Sequence, residues 1–163
     1  MEVYLLRHGI AEEGGSTKPD AERALTAEGK RKLRHILRLS SDAQVEPGLI
    51  LSSPLRRALE TAEIARNVLK CKHAVSRSKA LAPGGSVEQV WDEIRAHKDL
   101  PSVLLVGHNP QFAELAAYLL GAREVRVDFK KGAILRVDFE SFGPRPHGML
   151  RWYLTGKLAT NAD

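Results

Sequence analysis

The sequence predicts an α/β fold: a three-layer α/β/α sandwich in which helices cover both faces of a mostly parallel central sheet. Strand and helix patterns alternate along the chain. The strand patterns are short continuous apolar runs, which are typical of strands buried on both faces. Of the 163 residues, 43% are hydrophobic and 28% are charged, as in globular proteins with a substantial core. We expect a single domain that spans residues 1–163.

In the first part of the chain, two predicted strands are each followed by a predicted helix. The first strand covers residues 2–6, and Thr26 is expected to cap the helix that follows it. The second strand covers residues 49–51. Ser53 and Pro54 are the residue types preferred at the N-cap and the first position of a helix, so we expect the second helix to begin there.

The second part of the chain repeats this alternation. Its predicted elements are a helix over residues 87–96 and strands over residues 102–106, 133–139 and 150–154. Asn109 and Pro110 follow the strand that ends at residue 106, and they predict an N-cap and first position for a further helix. Gly121 is expected to end that helix after residue 120.

The charge of the chain favours an anionic partner. The net charge is +5 and the isoelectric point is about 9.5. The densest basic run, residues 30–34, falls within a helix pattern and is interpreted as a solvated helix face. Aromatic residues make up 6% of the chain and do not alternate with basic ones, so we expect no nucleic-acid partner.

Two further features predict a cytoplasmic protein. The apolar runs are too short to span a bilayer, and the N-terminus lacks the basic and apolar segments of a signal peptide. Cys71 is the only cysteine, which excludes a disulfide within the chain and is typical of a reducing compartment.

Polar side chains follow three of the predicted strands directly. Arg7 and His8 follow the first, a segment from Ser52 to Arg57 follows the second, and His108 follows the third. Because the carboxyl ends of parallel strands meet at one edge of a sheet, we expect these side chains to converge. Arginine side chains and helix N-termini together favour a dianion such as a phosphoryl group, and a phosphate or sulfate ion should bind there.

A histidine at such a site can act as a nucleophile on phosphorus. His8 is the better candidate because Gly9 lets the backbone approach a ligand closely. His108 would then be a second donor to the phosphoryl oxygens. Taken singly, a histidine is more often a surface or structural residue, and Arg7 would be an ordinary surface charge; the three clusters at strand ends together favour the site.

Three motifs occur in order along the chain: LLRHG at residues 5–9, SSPLRRALETA at residues 52–62 and VGHNP at residues 106–110. Together they resemble the histidine phosphatase superfamily, which has the phosphoglycerate-mutase-like fold. The stretches DAERALTAEG at residues 20–29 and LAPGG at residues 81–85 are most similar to the SixA-type phosphohistidine phosphatases. The resemblance covers residues 3 to about 120.

The resemblance implies a role for each site residue. His8 would be the nucleophile, Arg7 and Arg57 would clamp the phosphoryl group, and His108 would bind it from the opposite side. Arg57 fits the pattern because Ala58 follows it, whereas Arg56 is interpreted as a surface residue. Arg23 lies in a matching stretch, and both a phosphate contact and a structural role stay open for it.

No carboxylate lies near residues 78–81, where many larger relatives carry a general acid, and Glu12 and Glu13 are the other nearby candidates. A missing acid favours a phosphoramidate, since imidazole is a better leaving group than an alkoxide. The predicted function is therefore a phosphohistidine phosphatase that forms phospho-His8 and acts on a phosphohistidine protein such as a phosphotransfer domain.

Two other functions stay open: a phosphatase for small monoesters such as sugar phosphates, and a non-catalytic module that binds phosphate or nucleic acid. We expect no cofactor or metal. His8 and His108 lack the carboxylate or cysteine neighbours of a metal site, and the chain has no glycine-rich nucleotide-binding loop. The role of Cys71 stays open.

Overall fold

A computed structural model describes residues 1–16, 18–122 and 124–159 of the chain. The predicted domain over residues 1–163 therefore includes positions 17, 123 and 160–163, which lie outside the described residues. Six strands form one sheet: β1 (Glu2–Arg7), β2 (Leu49–Ser52), β3 (Ser76–Arg77), β4 (Ser102–Gly107), β5 (Ile134–Asp138) and β6 (Met149–Leu154).

The strand order in the sheet is β3-β2-β4-β1-β5-β6. The pairs β2–β3, β2–β4 and β1–β4 are parallel, whereas β5 is antiparallel to both β1 and β6. The prediction of a mostly parallel sheet is confirmed. The sequence pattern of β3 is only two residues long, which is too short to be recognised as a strand.

Helices pack against both faces of this sheet, as predicted. They are α1 (Ala27–Asp42), α2 (Arg56–Val68), α3 (Val87–Ala96), α4 (Gln111–Leu119) and α5 (Gly156–Ala159). Along β1, Tyr4 and Leu6 pack with the apolar side chains of α1 and α2, whereas Val3 and Leu5 pack with those of α3 and α4. Successive side chains of a strand point to opposite faces, so each central strand contributes to both cores.

Two predicted helix starts are wrong: α2 begins two residues later than predicted and α4 begins one residue later. The helix α2 begins at Arg56, not at Pro54, and Ser53 is not its N-cap. The helix α4 begins at Gln111, and its cap position is Pro110, not Asn109. Both polar side chains bind partners at the sheet edge instead, as described below, and so do not cap a helix.

Other boundaries agree with the prediction. Thr26 caps α1 by accepting a hydrogen bond of 3.0 Å from the Gly29 amide. Gly121 follows the end of α4 with a φ of +67°, a conformation that favours glycine. No helix among the described residues has the length and apolarity that crossing a membrane requires.

Gly29 lies inside α1, where a glycine ordinarily weakens a helix. Here its missing side chain is required by a close approach between α1 and the segment that follows His8. A Cβ atom on Gly29 would lie 2.2 Å from the carbonyl oxygen of Ile10. The Thr26 amide donates to that same carbonyl at 2.9 Å, so the Ile10 backbone is fixed in place.

We expect Gly29→Ala to lower the free energy of unfolding by about 1–3 kcal/mol, because the added methyl group must displace backbone atoms. Urea unfolding followed by circular dichroism measures this change. Gly156→Ala is the matched control, because a Cβ there meets nothing within 4 Å. Equal stability of the two variants would contradict the close approach.

Candidate active site

The site lies at the carboxyl edge of the three central parallel strands. In the register of the sheet, Arg7 of β1 lies opposite Gly107 of β4, and Ser52 of β2 lies opposite Val106 of β4. Two backbone hydrogen bonds continue this pairing past the strand ends. The His8 amide donates to Gly107 at 3.1 Å, and the Ser53 amide donates to Val106 at 2.9 Å.

This register brings the two histidines together. The centroids of the His8 and His108 rings are 5.0 Å apart, with an angle of 54° between the ring planes. His8 is 5% exposed and His108 is 3% exposed. A pair of buried imidazoles at the end of a sheet is unusual, because histidine is more often partly exposed.

The protonation of His8 follows from its contact with the backbone. Its Nδ1 atom lies 2.7 Å from the carbonyl oxygen of Gly9. A carbonyl oxygen only accepts, so Nδ1 carries the proton and donates it. Burial, which is the largest cause, and the charges of Arg57, Arg7 and Lys131 together lower the pKa of His8 to about 4, although the hydrogen bond to Gly9 acts to raise it. At neutral pH the ring is uncharged, with a lone pair on Nε2.

Ser53 contacts His108, which explains why it does not cap α2. The Nε2 atom of His108 lies 2.7 Å from the Ser53 hydroxyl oxygen. That oxygen also accepts a bond of 3.4 Å from the Leu55 amide. We assign the Ser53 hydroxyl as the donor to Nε2, which leaves the second ring nitrogen of His108 to carry the proton. In this arrangement the His108 proton lies on Nδ1.

His108 is also uncharged at neutral pH. Burial, which is the largest cause, and the nearby His8, Arg57 and Arg7 together lower the pKa of His108 to about 3, whereas the charge of Asp20 acts to raise it. A neutral imidazole has a single N–H, so its Nδ1–H is the one donor this side chain offers.

Arg57 is buried and held by Asp20. Its Nη1 donates to the Asp20 carbonyl oxygen at 2.8 Å, and its Nη2 donates to the Asp20 carboxylate at 3.1 Å. Asp20 therefore binds the terminal edge of the guanidinium group. Burial tends to raise the pKa of Asp20, but its hydrogen bond and charge contact with Arg57 and the charge of Arg23 lower it overall.

Arg7 is held by a backbone carbonyl group that lies far from it in the sequence. Its Nη1 donates to the carbonyl oxygen of Phe129 at 2.6 Å. The side-chain Nδ2 of Asn109 donates to the same oxygen at 3.1 Å, and for this reason the Asn109 side chain does not cap α4. The aromatic ring of Phe129 is fully buried against Phe112 and Tyr153.

Three donors of the site have no hydrogen-bond partner in the described part of the chain. They are Nε of Arg7, Nε of Arg57 and Nδ1 of His108, and we call them the open donors. Buried donors are almost always paired, so a buried set of unpaired ones indicates a site built for a ligand. All three are N–H groups and two carry a positive charge, which favours an oxyanion.

The remaining candidates lie around this cluster. Arg23 Nε lies 3.1 Å from the Asp20 carboxylate, in an ion pair without hydrogen-bond alignment. Arg56 is exposed and pairs with Glu60, as its surface interpretation predicted. Glu12 accepts from the Ala24 amide and pairs with Lys18, whose hydrogen bond lowers the pKa of Glu12.

The chain is similar to known proteins in both sequence and fold. Residues 3–82 match the family model of the histidine phosphatase superfamily, branch 1. An uncharacterised protein of Picosynechococcus sp. strain PCC 7002 is 31% identical over 138 residues, which are 83% of each chain. A structure of the protein histidine phosphatase SixA bound to tungstate is 26% identical, covers 96% of this chain and 98% of that one, and has a TM-score of 0.85.

A second solved structure, the α-ribazole phosphatase of Shigella flexneri, is 20% identical, covers 96% of this chain and 97% of that one, and has a TM-score of 0.73. At that identity the likeness shows the fold alone. The fold and the family model define a phosphatase. The chain belongs to branch 1 of the histidine phosphatase superfamily.

The sequence did not indicate three features of this site. They are the carboxylate of Asp20 on Arg57, the hydroxyl of Ser53 on His108 and the carbonyl of Phe129 on Arg7. The position of Ser53 could have indicated a site contact, since Ser53 is a polar residue that directly follows a buried strand at the edge where the other site residues lie. The Asp20 and Phe129 contacts join residues 37 and 122 positions apart, and no local pattern predicts such pairs.

We expect both histidines to remain uncharged at pH 6, because burial and the arginines disfavour the imidazolium form. Nitrogen-15 NMR of histidine-labelled protein measures this directly. In the unfolded chain each histidine takes up a proton at its ordinary pKa of about 6.5, whereas in the folded protein it does so only at lower pH. The free energy of unfolding should therefore fall as the pH drops from about 6.5 toward 4, by up to about 1.4 kcal/mol per pH unit for each histidine. His108→Gln should weaken that dependence, and titration of His8 at its ordinary pKa would contradict the burial argument.

We expect Arg57→Ala to weaken tungstate binding about 10- to 100-fold, because it removes a buried charged donor. Isothermal titration calorimetry measures the affinity. Arg56→Ala is the matched control, since it removes the same charge from the adjacent position, where the side chain is exposed and paired with Glu60. Similar affinities for the two variants would exclude Arg57 from the anion site.

Proposed function

We propose that the protein is a phosphohistidine phosphatase that hydrolyses a protein phosphohistidine through a covalent phospho-His8 intermediate. The observation that carries this proposal is the position of a neutral His8, with its lone pair on Nε2, beside the open donors of Arg7, Arg57 and His108. A nucleophile and a set of oxyanion donors are the two components that phosphoryl transfer requires.

In the first step, His8 Nε2 attacks phosphorus and forms an N–P bond, while the bond between phosphorus and the leaving group breaks. Charge on the three other phosphoryl oxygens is stabilised by Arg7, Arg57 and His108. In the second step, water attacks phosphorus, the N–P bond to His8 breaks, and inorganic phosphate is released. The proton and hydroxyl group of the water leave with the phosphate, and His8 returns to its neutral form, which completes the cycle.

The ionisation of the nearby carboxylates supports a phosphoramidate substrate. Expulsion of an alkoxide is helped by a neutral acid, which is typically worth about 10²–10⁴-fold in rate. The pKa values of Glu12 and Asp20 are both lowered by their cationic partners, so both are ionised and are poor proton donors. The likeness to the SixA structure, at 26% identity, is a second support.

Two other functions are outcomes of the tests below: a phosphatase for small phosphate monoesters such as sugar phosphates, and a non-catalytic module that binds phosphate or nucleic acid. The α-ribazole phosphatase shares the fold of this chain, but at 20% identity that likeness favours no substrate class.

The proposed partner is a histidine phosphotransfer domain in the cytoplasm. Arg23, in ion-pair contact with Asp20, is proposed to contact the phosphoryl group after a shift of its side chain, and a structural role for Arg23 is the alternative.

The proposal predicts a higher kcat/KM for a chemically phosphorylated histidine phosphotransfer domain than for phosphoserine peptides or sugar phosphates. Release of inorganic phosphate measures all three substrates. Enzyme quenched at alkaline pH, where phosphohistidine survives, should carry phosphate on His8 by mass spectrometry. A strong preference for a sugar phosphate would contradict the substrate assignment and leave the intermediate intact.

His8→Ala provides the control for catalysis. Loss of the nucleophile should lower turnover by about 10⁴-fold or more and abolish phosphate trapping. The variant should still bind tungstate, because the open donors remain. Unchanged turnover in the variant would show that another group is the nucleophile, and absence of turnover in the parent protein would favour the binding module.

A further inference from the structure

Asp20 is an ionised carboxylate at the site that has no role in the steps proposed above. Its side chain is 64% exposed, whereas His8 and His108 are 5% and 3% exposed. Asp20 nevertheless touches the buried guanidinium group of Arg57. The two imidazoles therefore form the floor of the site, and Asp20 lies at its solvent side.

The position of Asp20 matters because phosphoryl transfer proceeds in line. The attacking and leaving atoms lie on opposite sides of phosphorus. With His8 at the floor, a leaving group must depart toward solvent, where the side chain of a substrate protein enters. Asp20 is an exposed carboxylate in contact with Arg57, a side chain of the anion site, and we place it on this side.

Asp20 is also fixed in place and charged. Arg57 contacts both its carbonyl oxygen and its carboxylate, and Arg23 lies 3.1 Å from the second carboxylate oxygen. The titratable groups that act on it are Arg57 of α2, Arg23, which directly follows the short 3₁₀ turn Asp20–Glu22, and His108, whose imidazole is uncharged at neutral pH. An ionised carboxylate accepts hydrogen bonds and does not donate them.

The imidazole of a phosphohistidine substrate is a leaving group that such an acceptor helps. One ring nitrogen of the substrate is bonded to phosphorus, and the other can carry a proton. If the second nitrogen is protonated, the ring departs as neutral imidazole. Without that proton it must depart as an imidazolate anion, which is a far poorer leaving group. A carboxylate beside the N–H stabilises the protonated form.

We propose that Asp20 is a specificity-determining residue that accepts the N–H of the phosphorylated imidazole and thereby favours phosphohistidine over phosphate esters. The inference rests on the proposed function. In this step the His8–phosphorus bond forms, the bond between phosphorus and the substrate nitrogen breaks, and its electron pair stays on that nitrogen. The proton on the second nitrogen, taken up from solvent, stays on the ring. An ester oxygen has no N–H to offer, and ionised Asp20 gives it no proton.

A purely positioning role for Asp20, through Arg57, makes a different prediction. Arg57 binds the phosphoryl group of every substrate, so a misplaced Arg57 would slow all of them alike. A contact with the departing imidazole slows phosphohistidine hydrolysis alone. The comparison therefore needs a second substrate whose leaving group requires no proton, and 4-nitrophenyl phosphate meets that requirement.

The test is Asp20→Asn, which keeps the size of the side chain and an oxygen that Arg57 can bind. We expect kcat/KM for a phosphorylated histidine phosphotransfer domain to fall about 10- to 100-fold, and kcat/KM for 4-nitrophenyl phosphate and the affinity for tungstate to change little. The high-pH limb of the phosphohistidine profile should move down by about half to one pH unit, since the carboxylate no longer favours the protonated ring.

Glu22→Gln is the matched control, because it removes the same charge from an exposed residue of the same short turn. It should leave both substrates unaffected. Equal losses for the two substrates of Asp20→Asn, or no loss for either, would overturn the leaving-group role. Absence of phosphohistidine turnover in the parent protein would instead overturn the proposed function, and the two failures are thus distinguishable.

Discussion

The parallel register of β1, β4 and β2 is the constraint on which the whole site depends. β4 lies between the other two strands, and the amides of His8 and Ser53 bond to consecutive carbonyl groups near its end, those of Gly107 and Val106. A shift of one residue in either pairing would turn the side chains beyond it to the other face of the sheet. The cores on both faces exclude such a shift, because Val3 and Leu5 pack on one side and Tyr4 and Leu6 on the other.

The same arrangement creates an electrostatic cost that a ligand can relieve. Buried donors without partners and buried arginines near one another destabilise a folded chain. The site lowers part of this cost by keeping both imidazoles neutral and by pairing Arg57 with Asp20 and Arg7 with the Phe129 carbonyl. What remains is a set of N–H groups already oriented for an oxyanion. Such prior orientation is a major source of rate enhancement in phosphoryl transfer.

The central strands and the site residues could be predicted because their signals are local. A continuous apolar run followed at once by Arg-His, Ser-Ser or Gly-His is readable within a few residues. The helix starts after Ser53 and Asn109 were wrong because hydroxyl and amide groups serve equally well as caps and as partners of an imidazole or a distant carbonyl. The role of Gly29 was not predictable either, since only the folded chain places the Ile10 carbonyl against it.

A crystal structure of the protein with vanadate would show whether His8 and the open donors surround one oxyanion. We expect vanadium bonded to Nε2 of His8, with its oxygens within hydrogen-bond distance of Arg7 Nε, Arg57 Nε and His108 Nδ1. Vanadate bound elsewhere, or a His8 ring whose Nε2 is turned away from it, would exclude this common oxyanion site.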